Sequence, residues 1–431
     1  MKTLRRTLRT ADGLAMVLGV MVGSGIFRTP GLVAGRLGRP SLTFLVWVLG
    51  GALSLSGALL FAELATRHPT AGGKWFFARE AFGRRAAFVV GWIETGIYAG
   101  ALAGIGVVCG EYLVRLVGFT ADPRGVGASV LAVVTGLNLL GVATGRWAQN
   151  LATSAKVLAL LAVTALAAAA GSGAGWSSAP GGVPEGAALL GALAVAFQSV
   201  IWTYYGYADA AKIAEEVVDP ERTLPRVLLL GIGSAALLYL LLNAALLHVL
   251  PMRTIAGSTL PAGDLAEALF GARGGALLTA LALLVVLGSV NGNVFVTPRV
   301  AFGLARDGLA PRALARVNAG GTPWTAMLFV ACVSIALAAT GTFEHLLSLT
   351  ILLVLLIDGF MVLVLFRLRR RAPEAPFRVP LYPALPLAFL GVYAALFAGA
   401  ALEQPRLVAS TAGLVAATAL LSGLAVREPA A

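Results

Sequence analysis

The sequence predicts an all-α polytopic membrane protein with about twelve transmembrane helices, and three observations carry that expectation. Hydrophobic residues make up 58% of the chain and charged residues 12%, with a mean hydropathy of +0.88, which a soluble domain with a polar surface does not sustain. The apolar residues are gathered in runs of about 20, the length a helix needs to cross a bilayer. The basic residues sort by loop: with a cytoplasmic N-terminus, about 23 of the 32 fall on the cytoplasmic side and about 7 on the other. The net charge of +12 is then a topology signal, and nucleic-acid binding is not needed to explain it. The expected location is the inner (cytoplasmic) membrane, with both termini cytoplasmic.

Taken in order, residues 1–10 are basic, but the run after them is long and lacks a small-residue cleavage site, so it reads as a retained first span and not a signal peptide. Spans are expected over residues 13–33, 42–66, 86–117, 126–143 and 148–170. A Gly/Ser/Pro-rich loop at 171–186 separates these from spans at 187–214, 227–250, 274–300, 324–340 and 346–366. Two more follow near 385–402 and 407–426.

The first run is interrupted by Gly23-Ser24-Gly25-Ile26-Phe27 and the sixth by Tyr205-Gly206-Tyr207. Small residues in mid-span fit either an unwound segment facing a ligand or a close helix–helix contact. The two breaks stand first in successive sets of five spans, which favours ligand-facing segments in a 5+5 inverted repeat. The whole chain, residues 1–431, then reads as one transmembrane domain. Its repeats cover about 12–171 and about 187–367, with extra helices at about 383–426. Half-helix N-termini suit an anionic group and freed carbonyls suit a cation; a zwitterionic amino acid offers both.

Val22-Gly23-Ser24-Gly25-Ile26-Phe27, followed by Pro30, resembles the first-helix signature of the amino acid-polyamine-organocation superfamily of permeases. Phe61-Ala62-Glu63-Leu64 with Pro69-Thr70-Ala71-Gly72-Gly73 is similar to its loop after the second span. Ala214-Glu215-Glu216 with Asp219-Pro220-Glu221-Arg222-Thr223-Leu224-Pro225 is similar to its loop after the sixth, and Arg299-Val300, Ala305-Arg306-Asp307-Gly308 and Thr322-Pro323 to its eighth-to-ninth connection. The ordered set covers the first ten spans and is most similar to the L-type amino acid transporter-like branch and its bacterial relatives.

The resemblance implies a LeuT-like fold, with helices 1 and 6 discontinuous and two added C-terminal helices, that moves amino acids by alternating access. It implies that the substrate carboxylate sits at the break beside Gly23, on the N–H groups of Ser24, Gly25 and Ile26. The ammonium is implied to meet carbonyls of Met21, Trp202, Thr203 and Tyr205. Successive N–H groups at a half-helix N-terminus do form an anion site, and Gly permits close backbone approach. Trp202 stands where the branch carries an aromatic gate. Tyr205 replaces a small residue of relatives that carry large side chains, which implies a shortened pocket for small neutral L-amino acids such as Ala, Ser or Gly. The stretch Ala99-Gly100-Ala101-Leu102-Ala103 aligns with the pocket wall, with Ala99, Gly100 and Ala103 as its wall residues, and brings no charge. Lys156 matches a Lys that takes the place of a sodium ion in proton-coupled relatives, with first-helix carbonyls near Met21 and Ser289 or Asn291 as partners; snorkelling to the interface is the alternative.

Asp358 lies about 13 Å inside the tenth span, counting back from Arg367 at 1.5 Å per residue. It reads either as a second protonatable group or as a structural carboxylate bonded to a neighbouring helix. Glu63 and Glu216 are expected to pair with loop arginines, and Glu94 and Asp209 to serve as polar glue or cytoplasmic-gate residues. Asn138, Gln198 and Asn243 are expected to form interhelical hydrogen bonds. His68, His248 and His345 lie apart, so neither a metal site nor a catalytic histidine is expected. No cofactor is expected, and without a phosphate-cradling motif the chain reads as a secondary transporter and not an enzyme or an ATP-driven pump. The expected partners are an amino acid, protons and the lipid bilayer. Cys109 and Cys332 both lie within apolar runs, so no loop cysteine is on hand to tether an accessory subunit, and none is required. The alternatives are an exchanger without proton coupling, a cationic amino acid or polyamine permease, and a non-transporting amino acid sensor.

Overall fold

The first apolar run does break where its small residues cluster. In the computed structural model, which describes residues 10–68, 73–140, 146–176, 182–206, 218–318 and 321–426, helix α1 (Thr10–Met21) stops and α2 (Ser24–Leu37) begins after Gly23. Helix α3 (Pro40–Arg67) crosses back, and a short α4 (Gly73–Phe82) leads into α5 (Arg84–Val117). Then follow α6 (Pro123–Leu139), α7 (Arg146–Ala170) and α8 (Gly186–Tyr204). The chain continues with α9 (Pro220–Val249), a short α10 (Met252–Gly257), α11 (Pro261–Val296), α12 (Pro298–Arg306) and α13 (Trp324–Thr340). The last three are α14 (Phe343–Arg371), α15 (Ala384–Glu403) and α16 (Pro405–Ala425). Proline opens six of these helices, α3, α6, α9, α11, α12 and α16, where its missing N–H leaves no hydrogen bond unmade.

Eight helices among the described residues are long and apolar enough to cross a membrane, and the segments Lys156–Ala170 and Trp324–Thr340 are shorter apolar helices. The expected first span is missing from that set because its break leaves two halves, each too short alone. The eighth span differs from expectation: α11 starts well before residue 274, is kinked at Gly271, and gives way to α12 at Pro298. The basic stretch 67–85, between the expected second and third spans, is not all loop. Its second half is α4, which packs on α5 and α14 and buries Lys74.

Helix α5 is the hub, packed on α4, α6, α11, α13 and α14. Its apolar stretch is 72% buried, against 17% for α16, whose Leu420 and Leu424 stand almost fully exposed. Outward leucines on so apolar a chain make a lipid-facing surface, and the chain is a multi-pass membrane protein. Cys332 is one of the outward residues, while Cys109 is buried in α5. The broken helices α1–α2 and α8 sit inside the bundle, where α2 packs on α8 and α1 on α9.

Candidate functional site

A cavity of about 80 Å³ opens at the helix breaks. From α1 and α2 come Met21, Gly23, Ser24 and Gly25; from the end of α8, Trp202, Thr203, Tyr205 and Gly206. The rest of its wall is Ile97, Tyr98, Ala101 and Ile105 on α5, Ser289 and Asn293 on α11, and Thr350 and Ile351 on α14. Asp, Glu, Lys and Arg are absent from this lining among the described residues.

The backbone supplies the polarity. Ser24 begins α2 with no side-chain cap at Gly23, so the first-turn N–H groups of Ser24, Gly25 and Ile26 have no intrahelical acceptor and present a partial positive charge. Gly25 is required for the close approach of α2 to α8: a Cβ there would lie 2.7 Å from Thr203 Cα. The same contact is tied by the Thr29 and Thr203 hydroxyls, 2.6 Å apart: each has one hydrogen, so one donates to the other, whose own hydrogen goes to its helix carbonyl, Gly25 O at 2.8 Å from Thr29 or Ser199 O at 2.9 Å from Thr203. Opposite lie the C-terminal carbonyls of α1 and α8, the negative ends of their helices.

Not every carbonyl expected to meet an ammonium is open to it. Met21 O accepts the Gly23 N–H at 2.8 Å and the Tyr239 hydroxyl at 2.7 Å, which engages both lone pairs. Trp202 O accepts the Tyr205 N–H, and Thr203 O lies 3.3 Å from the same Tyr239 hydroxyl, so each retains accepting capacity. Tyr239, buried in α9, was not legible as a site residue, although a hydroxyl inside an apolar span has to find an acceptor.

Three of the expected wall residues are displaced. Ala99, Gly100 and Ala103 do not line the cavity; Ile97, Tyr98, Ala101 and Ile105 do. At 100° per residue these four share one face of α5, and the other three turn away from it. Gly100 instead makes room for Thr350, whose hydroxyl would stand 2.5 Å from a Cβ at that position. Ile26 is also outside the lining: its side chain is buried in the core and only its N–H belongs to the break. Tyr207 and Asp209 lie outside the described residues, as does Glu216.

Lys156 is 4% exposed and donates to Gly19 O at 2.7 Å, in the last turn of α1. Its ammonium therefore neutralises the C-terminal end of α1 from within the bundle and does not snorkel outward. The expected bridge to α11 is not made. Ser289 donates to Val285 O in its own helix, and Asn291 accepts from Asn138 at 2.8 Å. Of the other expected interhelical bonds, Asn243 bonds its own helix at Tyr239 O, and the buried amide of Gln198 has no hydrogen-bond partner.

An ion pair lies beyond the cavity in each direction along α14. Helix α14 runs past the cavity, with Thr350 and Ile351 on the wall; Phe343 and Asp358 lie about 10 Å to either side. At the Phe343 end, Trp202 meets Phe343 edge-on, centroids 5.8 Å apart, and the Arg28 guanidinium lies 5.6 Å from the same ring. Arg28 donates to Glu111 at 3.0 Å. At the other end, Asp358 is fully buried and accepts from Lys74 at 2.5 Å, so it is the carboxylate bonded to a neighbouring helix. Farther out, Glu63 takes both Arg67 and Arg369 and the Val379 N–H at 2.7 Å, which ties α3 to α14. Arg28, Glu111 and Lys74 escaped the sequence reading, although a carboxylate as deep as Asp358 calls for a cation.

The break between α1 and α2 and the end of α8 meet at a cavity inside a bundle of spans, an arrangement that fits a membrane transporter and not an enzyme. The chain belongs to the amino acid permease family of the amino acid-polyamine-organocation superfamily, whose match extends over residues 8–424, and it is an amino acid transporter. It is 28% identical over 395 residues to the serine/threonine exchanger SteT of Bacillus subtilis (strain 168), covering 89% of this chain and 88% of that one. It is 27% identical over 412 residues to the human large neutral amino acids transporter small subunit 2, covering 93% and 77%. To the mouse b(0,+)-type amino acid transporter 1 it is 26% identical over 397 residues, covering 88% and 80%. An amino acid substrate and the lipid bilayer are its partners.

Proposed function

We propose that this protein carries small neutral L-amino acids across the cytoplasmic membrane by alternating access, with both termini cytoplasmic and two inverted five-helix repeats around the site. The observation that carries the reading is the cavity at the breaks: helix-terminal N–H groups on one side, carbonyls on the other and no charged side chain among the described lining residues. The carboxylate sits on the N–H groups of Ser24, Gly25 and Ile26, and the ammonium on the carbonyls of Trp202 and Thr203. Size supports the choice of substrate. A cavity of about 80 Å³ is small, which favours a short side chain. An uncharged lining speaks against a cationic amino acid or a polyamine.

Lys156 supports proton coupling. Its bond to Gly19 O is charge-assisted while the ammonium keeps its proton, and loss of the proton weakens that hold on the end of α1. A second reading, exchange of one amino acid for another without a proton, is favoured by the match to a serine/threonine exchanger. Uptake of labelled alanine, serine, leucine, arginine and glutamate into proteoliposomes tests both. Accumulation driven by an imposed pH gradient supports the first; uptake that ignores the gradient and requires internal amino acid supports the second. Binding of an amino acid without flux in either format rejects transport by this chain.

A further inference from the structure

The end of the cavity that faces α4 leads to a buried ion pair that substrate recognition does not use. Lys74 stands at the start of α4, directly after Gly73, whose φ of +65° turns the chain into the helix. Its ammonium donates to Asp358 Oδ1 on α14 and to the Tyr205 hydroxyl, joining residues 284 and 131 positions away in sequence. The side chains of Lys74 and Asp358 are 4% and 0% exposed. Lys74 Nζ lies 5.1 Å from the centre of the Tyr205 ring while bonded to its oxygen, which puts the nitrogen beyond the hydroxyl and near the ring plane. The contact is therefore a hydrogen bond and not a cation–π interaction.

An ammonium and a carboxylate withdrawn from water regain their lost hydration only in good geometry, and an apolar pair of similar volume often does as well. What an apolar pair cannot do is grip a phenol by its oxygen. Tyr205 follows the last residue of α8 in extended conformation, φ −66° and ψ 144°, and its ring is part of the cavity wall, so the bond to its oxygen bears on where the ring stands. We propose that Lys74, itself held by Asp358, is the positioning residue that fixes Tyr205 across one end of the cavity and thereby sets the size of side chain the transporter accepts. This rests on reading the cavity as the amino acid site. The ligand class it selects is the small neutral amino acid; freeing the ring admits branched and aromatic ones.

Asp358 Oδ2 has no hydrogen-bond partner, so removing Lys74 alone leaves a bare buried carboxylate, and the test removes both charges together. Full-length wild type, K74M/D358N, Y205F, the triple variant and Y205G are reconstituted in proteoliposomes, and Vmax and KM are measured for alanine and leucine. In K74M/D358N and in Y205F, the leucine-to-alanine ratio of Vmax/KM is expected to rise at least tenfold, chiefly through the KM of leucine. The triple variant is expected to go no further, because the three groups act as one contact. A merely structural ion pair would lower thermal stability and total uptake but leave that ratio alone. If the ratio stays at the wild-type value in K74M/D358N and rises in Y205G, the role of Lys74 is overturned and the cavity stands. A wild-type ratio in Y205G as well overturns the cavity. Should K74M/D358N fail to fold, Y205F, which keeps the ring and the ion pair, decides alone: an unchanged ratio refutes the proposal.

Discussion

Replacing Gly25 by alanine should weaken substrate binding. The new Cβ would stand 2.7 Å from Thr203 Cα and 2.9 Å from Thr203 Oγ1. Carbon atoms rest at about 3.5–4.0 Å, so α2 and α8 must part by about 0.8 Å or more. The Thr29–Thr203 hydroxyl bond, now 2.6 Å, is then stretched or lost. Overpacking of this kind costs about 1–3 kcal/mol and the hydrogen bond about 1 kcal/mol. The sum, about 2–4 kcal/mol, corresponds to roughly 30- to 700-fold if all of it falls on the substrate-ready arrangement. Relaxation of the helices reduces that, and an increase of at least about tenfold in the KM for alanine is expected. Reconstituted G25A is assayed for uptake and for thermal stabilisation by alanine. The control is G136A in α6, where an added Cβ meets nothing within 4 Å and no change is expected. A wild-type KM and full thermal stabilisation in G25A would refute the account of the site as a rigid pair of helix ends.

Lys156→Ala should abolish any dependence of uptake on a pH gradient, because the group that holds Gly19 O is gone; gradient-driven uptake that survives unchanged removes Lys156 from the coupling. Arg28→Met leaves Glu111, 16% exposed, without its partner, and should lower stability toward the low end of about 3–5 kcal/mol. R28M/E111L should recover most of that loss, and equal melting temperatures for the single and double variants would show that the two side chains are not coupled. Glu63→Gln keeps the shape but cannot neutralise Arg67 and Arg369, so a fall in melting temperature equivalent to about 3–5 kcal/mol is expected. A melting temperature unchanged by E63Q would mean that the tie between α3 and α14 adds nothing to stability.

Much of the architecture was legible because the bilayer constrains local sequence so tightly. A run of apolar residues in a membrane has to be helical, since its N–H and C=O groups have no water to turn to, so the spans could be placed from hydropathy alone. The same constraint made the breaks readable: Gly23-Ser24-Gly25 in mid-run marks backbone that must be satisfied by something other than lipid. The resemblance to the permease superfamily implied that Met21, Gly23, Ser24, Gly25, Trp202, Thr203 and Tyr205 share one site, and the structure lines one cavity with all of them. Helix phase was harder. Ala99, Gly100 and Ala103 were one or two residues from the right face of α5, because an alignment of small residues along a helix does not say which side meets the cavity.

What the chain determined by itself is its helices, their breaks, and the backbone chemistry of helix ends that suits a zwitterion. What only the tertiary structure decided is where long polar side chains end. Their reach spans several turns of a neighbouring helix, and their partners are set by packing and not by sequence distance. Lys74 finds Asp358 and Tyr205, Arg28 finds Glu111, and Tyr239 occupies a carbonyl that was expected to be open. The fold of the site follows from local rules, and its boundaries follow from these distant pairs.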